Sequence, residues 1–479
     1  MRTLFWALFV LFSLGLAGQS SQDLSQEAGE YLETIRGDQA RLRLFFKRMP
    51  KGGDLHHHFS GSIYTEYYVD QIEKWDYWID PSSLQVADSP PPDASGWARI
   101  SWLRARGDWV DLRERLLRKW SIKEFLPGEL SSAEDFFGAF NYFIPIKEKM
   151  IRAGLLELKR RALDQNVCYL ETQFASPAWQ APFPQESVHT EWLQRWEVEG
   201  VFQDSLEKLY QIFRERPDYP TSMEAYVDTL EAIHRELELD EDRFLIRYQN
   251  YVLRTLPPAQ VFRSLLLAFA TAAASDLIVG LNFVAPEHHP VALRDYALHM
   301  QFFSFLREKF PTVKVALHAG ELRLGQVAPE DLNWHISEAV KVVSPGRIGH
   351  GVSIAHENQA FVTLDQMREK GIAVEINLQS NAFLLGVSGD EHPIGIYRDA
   401  RVPLVISTDD EGVLRTDLTE QFVLLAYHYR DIEYAEIKEF VLNSIRFSFL
   451  DDRNKGRLES LIRDSFKAFE RRMVDRFRE

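Results

Sequence analysis

Cysteine is almost absent: Cys168 is the only one in 479 residues. No disulfide can form within the chain, and metal sites built on paired Cys-x-x-Cys are excluded. The setting of that thiol, Val167-Cys168-Tyr169-Leu170, reads as a buried strand in which Cys is a small apolar filler, not a nucleophile. Basic charge is also short, with 55 Lys and Arg against 71 Asp and Glu and a net charge of −16. That balance argues against a nucleic-acid or anionic-membrane partner, which needs clustered cations. The basic runs at 113–119 and 471–472 are interrupted or flanked by acids and read as solvated helix faces. There is no internal repeat or low-complexity tract, and no Gly-x-Gly-x-x-Gly turn follows any strand-like run, which disfavours a dinucleotide-binding open sheet.

Long hydrophobic runs are missing too, with one exception. An apolar stretch from Leu4 to Leu16 follows Arg2 and ends in Gly15-Leu16-Ala17. It is shorter than the roughly 20 residues a spanning helix needs. Its small-x-small ending predicts a signal segment over 1–17, removed after Ala17, and hence a secreted product, periplasmic or extracellular, with no membrane attachment once the segment is gone. No cysteine follows the run to accept a lipid.

What is present is material for a large core: 45% of residues are hydrophobic and 13% aromatic. Residues 18–50 place Tyr31, Leu32, Ile35, Leu42, Leu44 and Phe45 at helical spacing and predict a helical arm. Beyond it, short β-branched or apolar runs alternate with amphipathic stretches. The runs are 53–56, 167–173, 244–248, 278–283, 313–318, 347–349, 373–377 and 404–407. Eight strands, each followed by a segment long enough for a crossover helix, predict a (β/α)8 TIM barrel over 51–450. The stretch after the first strand is too long for one crossover. It predicts an insertion at about 64–126, read as packed in preference to a lid or a dimer contact because its Trp and Leu recur at helical spacing. Leu458, Leu461, Ile462, Phe466, Phe469, Met473 and Phe477 predict a packed terminal helix over 451–479.

Chemistry-bearing residues gather at the ends of these runs, the face on which such barrels carry their sites. In an extended Asp54-Leu55-His56-His57-His58, His56 and His58 point to one side and His57 to the other. His318 and Asp409 end two further strands. Three imidazoles and a carboxylate suit one Zn²⁺, with Fe, Co or Ni able to use the same set. His350, between Gly349 and Gly351, is the candidate for orienting a metal-bound water and handling its proton. Glu321, three residues after His318, is the candidate acid, provided burial keeps it protonated. Asp410 either contacts substrate or caps the next helix. Glu375, inside an apolar strand, must meet a cation. His288, His289, His335, His356 and His392 are expected on the surface or in supporting positions.

Taken together, Met49-Pro50-Lys51-Gly52-Gly53-Asp54-Leu55-His56-His57-His58, His318-Ala319-Gly320-Glu321, Arg347-Ile348-Gly349-His350-Gly351 and Ser407-Thr408-Asp409-Asp410 resemble the motifs of the adenosine deaminase family of metal-dependent amidohydrolases. The stretch Tyr169 to Pro177 and Ser380-Asn381 are similar as well. With its export signal and insertion, the chain looks closest to the secreted, growth-factor-related branch and its bacterial relatives. The resemblance implies a purine nucleoside substrate and a homodimer. It implies zinc on His56, His58, His318 and Asp409, with Glu321 at purine N1, His350 at the attacking water and Asp410 at N7. Ser60 stands where an Asp often contacts the ribose, and Ala285 where a Gly often offers its N–H to the purine. Another aminopurine, or a binding role with little turnover, remains the competing expectation.

Overall fold

Strand runs buried on both faces need a second layer all round, and a closed barrel ringed by helices provides it. The computed structural model describes residues 21–478 apart from 129, 180–182, 184 and 196–200; the expected signal segment lies outside the described residues. The strands are β1 Gly52–His58, β2 Val167–Ala175, β3 Leu245–Leu253, β4 Ile278–Val284, β5 Lys314–Ala319, β6 Arg347–His350, β7 Ala373–Ile376 and β8 Leu404–Ile406. They pair in parallel and in chain order.

Closure between β8 and β1 is made just past the end of β8. His57 bridges Asp409, the Asp409 N–H donates to the His56 carbonyl at 2.8 Å, and the His58 N–H donates to the Asp409 carbonyl at 3.3 Å. The seam of the barrel therefore sets a candidate ligand from each side next to the other.

All eight expected strands are present, and the third runs further than its apolar residues suggest. Gln249 and Asn250 look like a strand end in sequence but are buried, because each finds partners. The Gln249 amide donates to Glu171 at 2.8 Å and the Asn250 amide to Thr271 at 2.7 Å. A satisfied polar residue can continue a buried strand.

The segment after β1 forms a helix at Thr65–Lys74 and a three-stranded antiparallel sheet of Trp78–Ile79, Val86–Ala87 and Ala98–Arg99. Helices Ile100–Arg106 and Trp109–Lys119 follow, with Trp109 and Trp120 buried in the core. Helix Ser132–Phe143, opened by a Ser131/Glu134 capping box, then crosses the strand C-terminal end of the barrel. Its Phe137 meets His288 after β4, and Ser132 bonds the Leu384 carbonyl after β7. Phe125, just before it, packs edge-on against Phe383. The first crossover is helix Lys147–Asp164, packed on β2. At the termini, helix Ser21–Ile35 packs along helix Asp452–Arg478. Among the described residues no helix is long and apolar enough to cross a membrane.

Candidate active site

The alternation of β1 turns His56 and His58 inward, while His57 faces away and bonds the Thr172 hydroxyl at 2.9 Å. The two inward rings bring their Nε2 atoms within 3.3 Å of each other. The approach depends on Gly349: a Cβ there would lie 2.7 Å from the His56 ring. His318, at the end of β5, completes a triplet whose ligand atoms lie within 4.8 Å of one another. Asp409 Oδ1 stands 3.3 Å from His58 Nε2 and 3.7 Å from His56 Nε2.

Two of the rings are held by their outer nitrogens. His56 Nδ1 donates to Glu375 Oε2 at 2.6 Å, and His318 Nδ1 donates to Asn282 Oδ1 at 2.8 Å. Each bond fixes the tautomer that leaves an Nε2 lone pair facing inward. Glu375 itself meets the cation its burial requires: Arg347 joins it to Glu171, and all three are fully buried. The donor set and its outer bonds fit a divalent metal such as zinc, which His56, His58, His318 and Asp409 would hold.

Beside this cluster, His350 Nε2 faces Glu321 Oε1 at 3.6 Å and Asp409 Oδ2 at 3.8 Å, and has no hydrogen-bond partner among the described residues. Burial, then the neighbouring His56, pushes the His350 pKa down to about 3, so the ring is neutral. Burial, reinforced by the Asp409 charge, holds Glu321 above the usual carboxylic range, with Arg254 opposing. Burial works against ionised Asp409 as well, but His56, His350 and His58 outweigh it and hold the carboxylate below its ordinary value. One acid is thus kept protonated and its neighbour ionised, the division that acid-assisted hydrolysis requires.

Asp410 is buried, and its Oδ1 has no partner among the described residues. It lies against Gly61, where a Cβ would collide with that oxygen. Burial and the Asp409 charge raise its pKa. It does not cap the next helix: Asp417 does, accepting from the Glu420 N–H. Ser60, half-buried, adjoins Gly61 on the same rim, and its carbonyl accepts from the Tyr68 hydroxyl at 2.8 Å. Ala285 follows β4 with φ of 84°, one of three candidate residues in the left-handed region with His350 and Asp409, both at 67°. Strain of this kind persists where surrounding contacts over-determine the backbone.

Those contacts include residues that the sequence reading passed over. Glu287, fully buried, accepts the N–H groups of Gly320 at 3.0 Å and Glu321 at 2.9 Å and the His335 Nδ1–H at 2.6 Å. Arg254, 3.6 Å from Glu287, donates to the Ala285 carbonyl at 2.6 Å and the His318 carbonyl at 3.2 Å. One buried ion pair thereby ties the ends of β3, β4 and β5 together. The signal available in sequence was a charged residue directly after one strand and another three residues after the next, a weak one without knowledge of burial. His335 and His392 are buried supporting groups, not surface ones. A surface cavity of about 630 Å³ between Arg43, Lys47, Arg161 and Arg415 holds none of the candidates. Its arginines are paired with Glu420, Glu411 and Glu66.

Comparison with known proteins places this geometry. The adenosine deaminase family model matches residues 204–465, more than half of the chain. An adenosine deaminase of Clostridium perfringens is 30% identical over 147 residues, 30% of this chain and 41% of that protein; the chain thus matches about two fifths of the length of this curated relative. An adenine deaminase of Rhizobium johnstonii is 26% identical over 295 residues, 55% of this chain and 85% of that protein. The N6-mAMP deaminase structure of Arabidopsis shares the fold at TM-score 0.53 and 18% identity, covering 88% of this chain and 99% of its own. With the extent of the family match and the strand-end cluster together, the chain belongs to the adenosine deaminase family.

Proposed function

We propose that this protein is a secreted, zinc-dependent aminohydrolase that converts adenosine or 2′-deoxyadenosine to inosine or its deoxy form and ammonia. The observation that carries the reading is the convergence of three imidazoles and Asp409 on one point, with Glu321 and His350 beside them. Family membership supports deamination of an aminopurine. Export rests on Arg2, the apolar run and Gly15-Leu16-Ala17.

When bound by His56, His58, His318 and Asp409, a divalent ion makes hydroxide available from water near neutral pH. The chain's own groups do the rest. Glu321 gives its proton to purine N1 as the oxygen joins C6, so negative charge does not build on the ring. His350 faces the attacking oxygen and orients it. Asp410 holds N7 and fixes the ring plane. The tetrahedral carbon then passes its hydroxyl proton to the exocyclic nitrogen, the C6–N bond breaks, and ammonia leaves. Ionisation of the water gives one proton to solvent and Glu321 regains one from solvent after ammonia leaves, so that water and aminopurine give oxopurine and ammonia. Asp409 stays ionised throughout.

A second reading, another aminopurine or a modified nucleoside, is favoured by Ser60 on the rim, since a hydroxyl there contacts a sugar less strongly than a carboxylate. The adenine deaminase and N6-mAMP deaminase relatives point the same way. The first experiment measures ammonia release and purine absorbance for the chain begun at Gly18, before and after chelation and zinc return. Zinc-dependent conversion of adenosine supports the reading. Much faster turnover of another aminopurine in a panel replaces the substrate. A folded, zinc-loaded protein that turns over none of the panel but binds adenosine supports a binding role instead.

A further inference from the structure

Behind His350 runs a chain of hydrogen bonds whose direction can be read from one end. The backbone N–H of Ile394 donates to His392 Nδ1 at 3.2 Å. A main-chain N–H is always a donor, so His392 Nδ1 is an acceptor and the neutral ring carries its hydrogen on Nε2. His392 is buried, and burial alone holds its pKa down to about 4. Its Nε2–H therefore donates to Asn381 Oδ1 at 3.0 Å. That fixes the Asn381 amide, because the flipped amide would set its NH₂ against an N–H. Asn381 Nδ2 then donates to His350 Nδ1 at 2.9 Å, with the Asn377 amide at 3.5 Å from the same nitrogen. Asn381 and His350 are both fully buried, so no water competes for these bonds.

We infer that His392 and Asn381 are positioning residues that lock His350 in its Nε2–H tautomer, so that it presents a hydrogen-bond donor, not a base, to the reacting centre. With Nδ1 occupied as an acceptor, both the cationic ring and the Nδ1–H tautomer would set hydrogen against hydrogen at Asn381. The ionised carboxylate facing Nε2 agrees: Asp409 Oδ2, 3.8 Å away, is an acceptor. In the proposed reaction His350 holds the attacking oxygen by donating to one of its lone pairs, leaving another aimed at C6, and takes up no proton. This role rests on the deaminase reading; the tautomer lock does not.

The test uses the zinc-loaded full chain labelled with ¹⁵N in its histidines, with His350 assigned by difference against His350→Ala. The expected spectrum shows a protonated Nε2 and a bare Nδ1 for His350, unchanged across neutral pH. Asn381→Asp, whose carboxylate can only accept, should switch the ring to Nδ1–H. It should also lower kcat by on the order of 10⁴, the scale seen when a catalytic histidine is held in the wrong tautomer, with KM and zinc content kept. His392→Phe, unable to donate, should lower kcat about 10 to 100-fold, and His392→Gln, whose amide can donate, should recover most of that loss. A wild-type His350 with hydrogen on Nδ1 overturns the inference, as does an Asn381→Asp enzyme with wild-type kcat. A wild type that turns over no aminopurine defeats the deaminase reading, and the spectrum still decides the tautomer.

Discussion

The two ends of the barrel interior treat buried charge in opposite ways. Deep in the barrel, the Arg347 guanidinium bonds Glu375, Glu171 and the Phe447 carbonyl. Glu171 also accepts from the Tyr169 hydroxyl, the Gln249 amide and the Phe449 N–H. At the mouth, Asp410 Oδ1, His350 Nε2 and Gln173 Oε1 are just as buried and have no partner among the described residues. An unmatched buried polar atom costs about 1 to 3 kcal/mol, so its persistence needs a reason. The contrast teaches that one cluster holds the fold and the other waits for a ligand. Substitutions deep in the barrel should be read in stability, those at the mouth in rate.

The largest expected effect is at the mouth. Glu321→Gln keeps the size of the side chain but cannot give up a proton. It should retain zinc and a native melting curve while kcat falls by about 10²–10⁴. Near-normal turnover in this variant would refute its acid role. Because Glu321 must be protonated to act and its pKa lies above the ordinary range, its limb of the wild-type kcat profile should fall as pH rises through that elevated value, and Glu321→Gln should lack that limb. Stability moves with the same sign. The folded state binds the proton more tightly than the unfolded chain, so this group's contribution is lost as pH rises through the folded pKa.

Next comes the deep cluster. Arg347→Met leaves Glu375 and Glu171 buried without their cation and should cost about 3 to 5 kcal/mol of unfolding free energy. Urea titration would measure it. A loss under 1 kcal/mol would show that water enters to solvate the carboxylates, and would erase the distinction between the two ends. Asp410→Asn should do the reverse. It removes an unmatched acid and should leave stability unchanged or slightly higher while kcat/KM falls about 100-fold, comparable to other losses of one substrate-orienting contact. Steady-state kinetics beside thermal denaturation reads both quantities from one preparation.

How much of this is legible in sequence divides along the same line. The eight strands announce themselves because each is an apolar run between turn residues, and His56, His58, His318, Glu321, His350, Asp409 and Asp410 because each ends such a run or lies within three residues after it. Glu375 is legible as a buried charge needing a cation, although which cation is not. Arg254, Glu287, Asn282 and His392 are not legible, since a charged or polar residue within a strand, after one or in a loop is ordinary in sequence. Only the fold shows that each is buried and bonded to a candidate residue or its backbone, or, for His392, through Asn381. The role of helix Ser132–Phe143 across the mouth is hidden for the same reason. Phe136 and Phe143 of that helix are buried, whereas Phe137 packs against His288 in the loop after β4.

The smallest expected effect is at Ala285, and it tests whether strain at the mouth serves the ligand. Its φ of 84° lies where an L side chain is disfavoured by roughly 1 to 2 kcal/mol, and Arg254 holds its carbonyl there. Ala285→Gly should relieve that strain while giving back about 0.5 to 1 kcal/mol through the freer unfolded chain. The net gain should be under about 1 kcal/mol, seen as a rise of a few degrees or less in Tm. The backbone N–H is untouched, so if the residue meets the purine only through that group, KM should stay within about twofold. A KM change of tenfold or more would mean that the Ala285 methyl itself touches the substrate, and would make this position, with Ser60, a determinant of which aminopurine the site accepts.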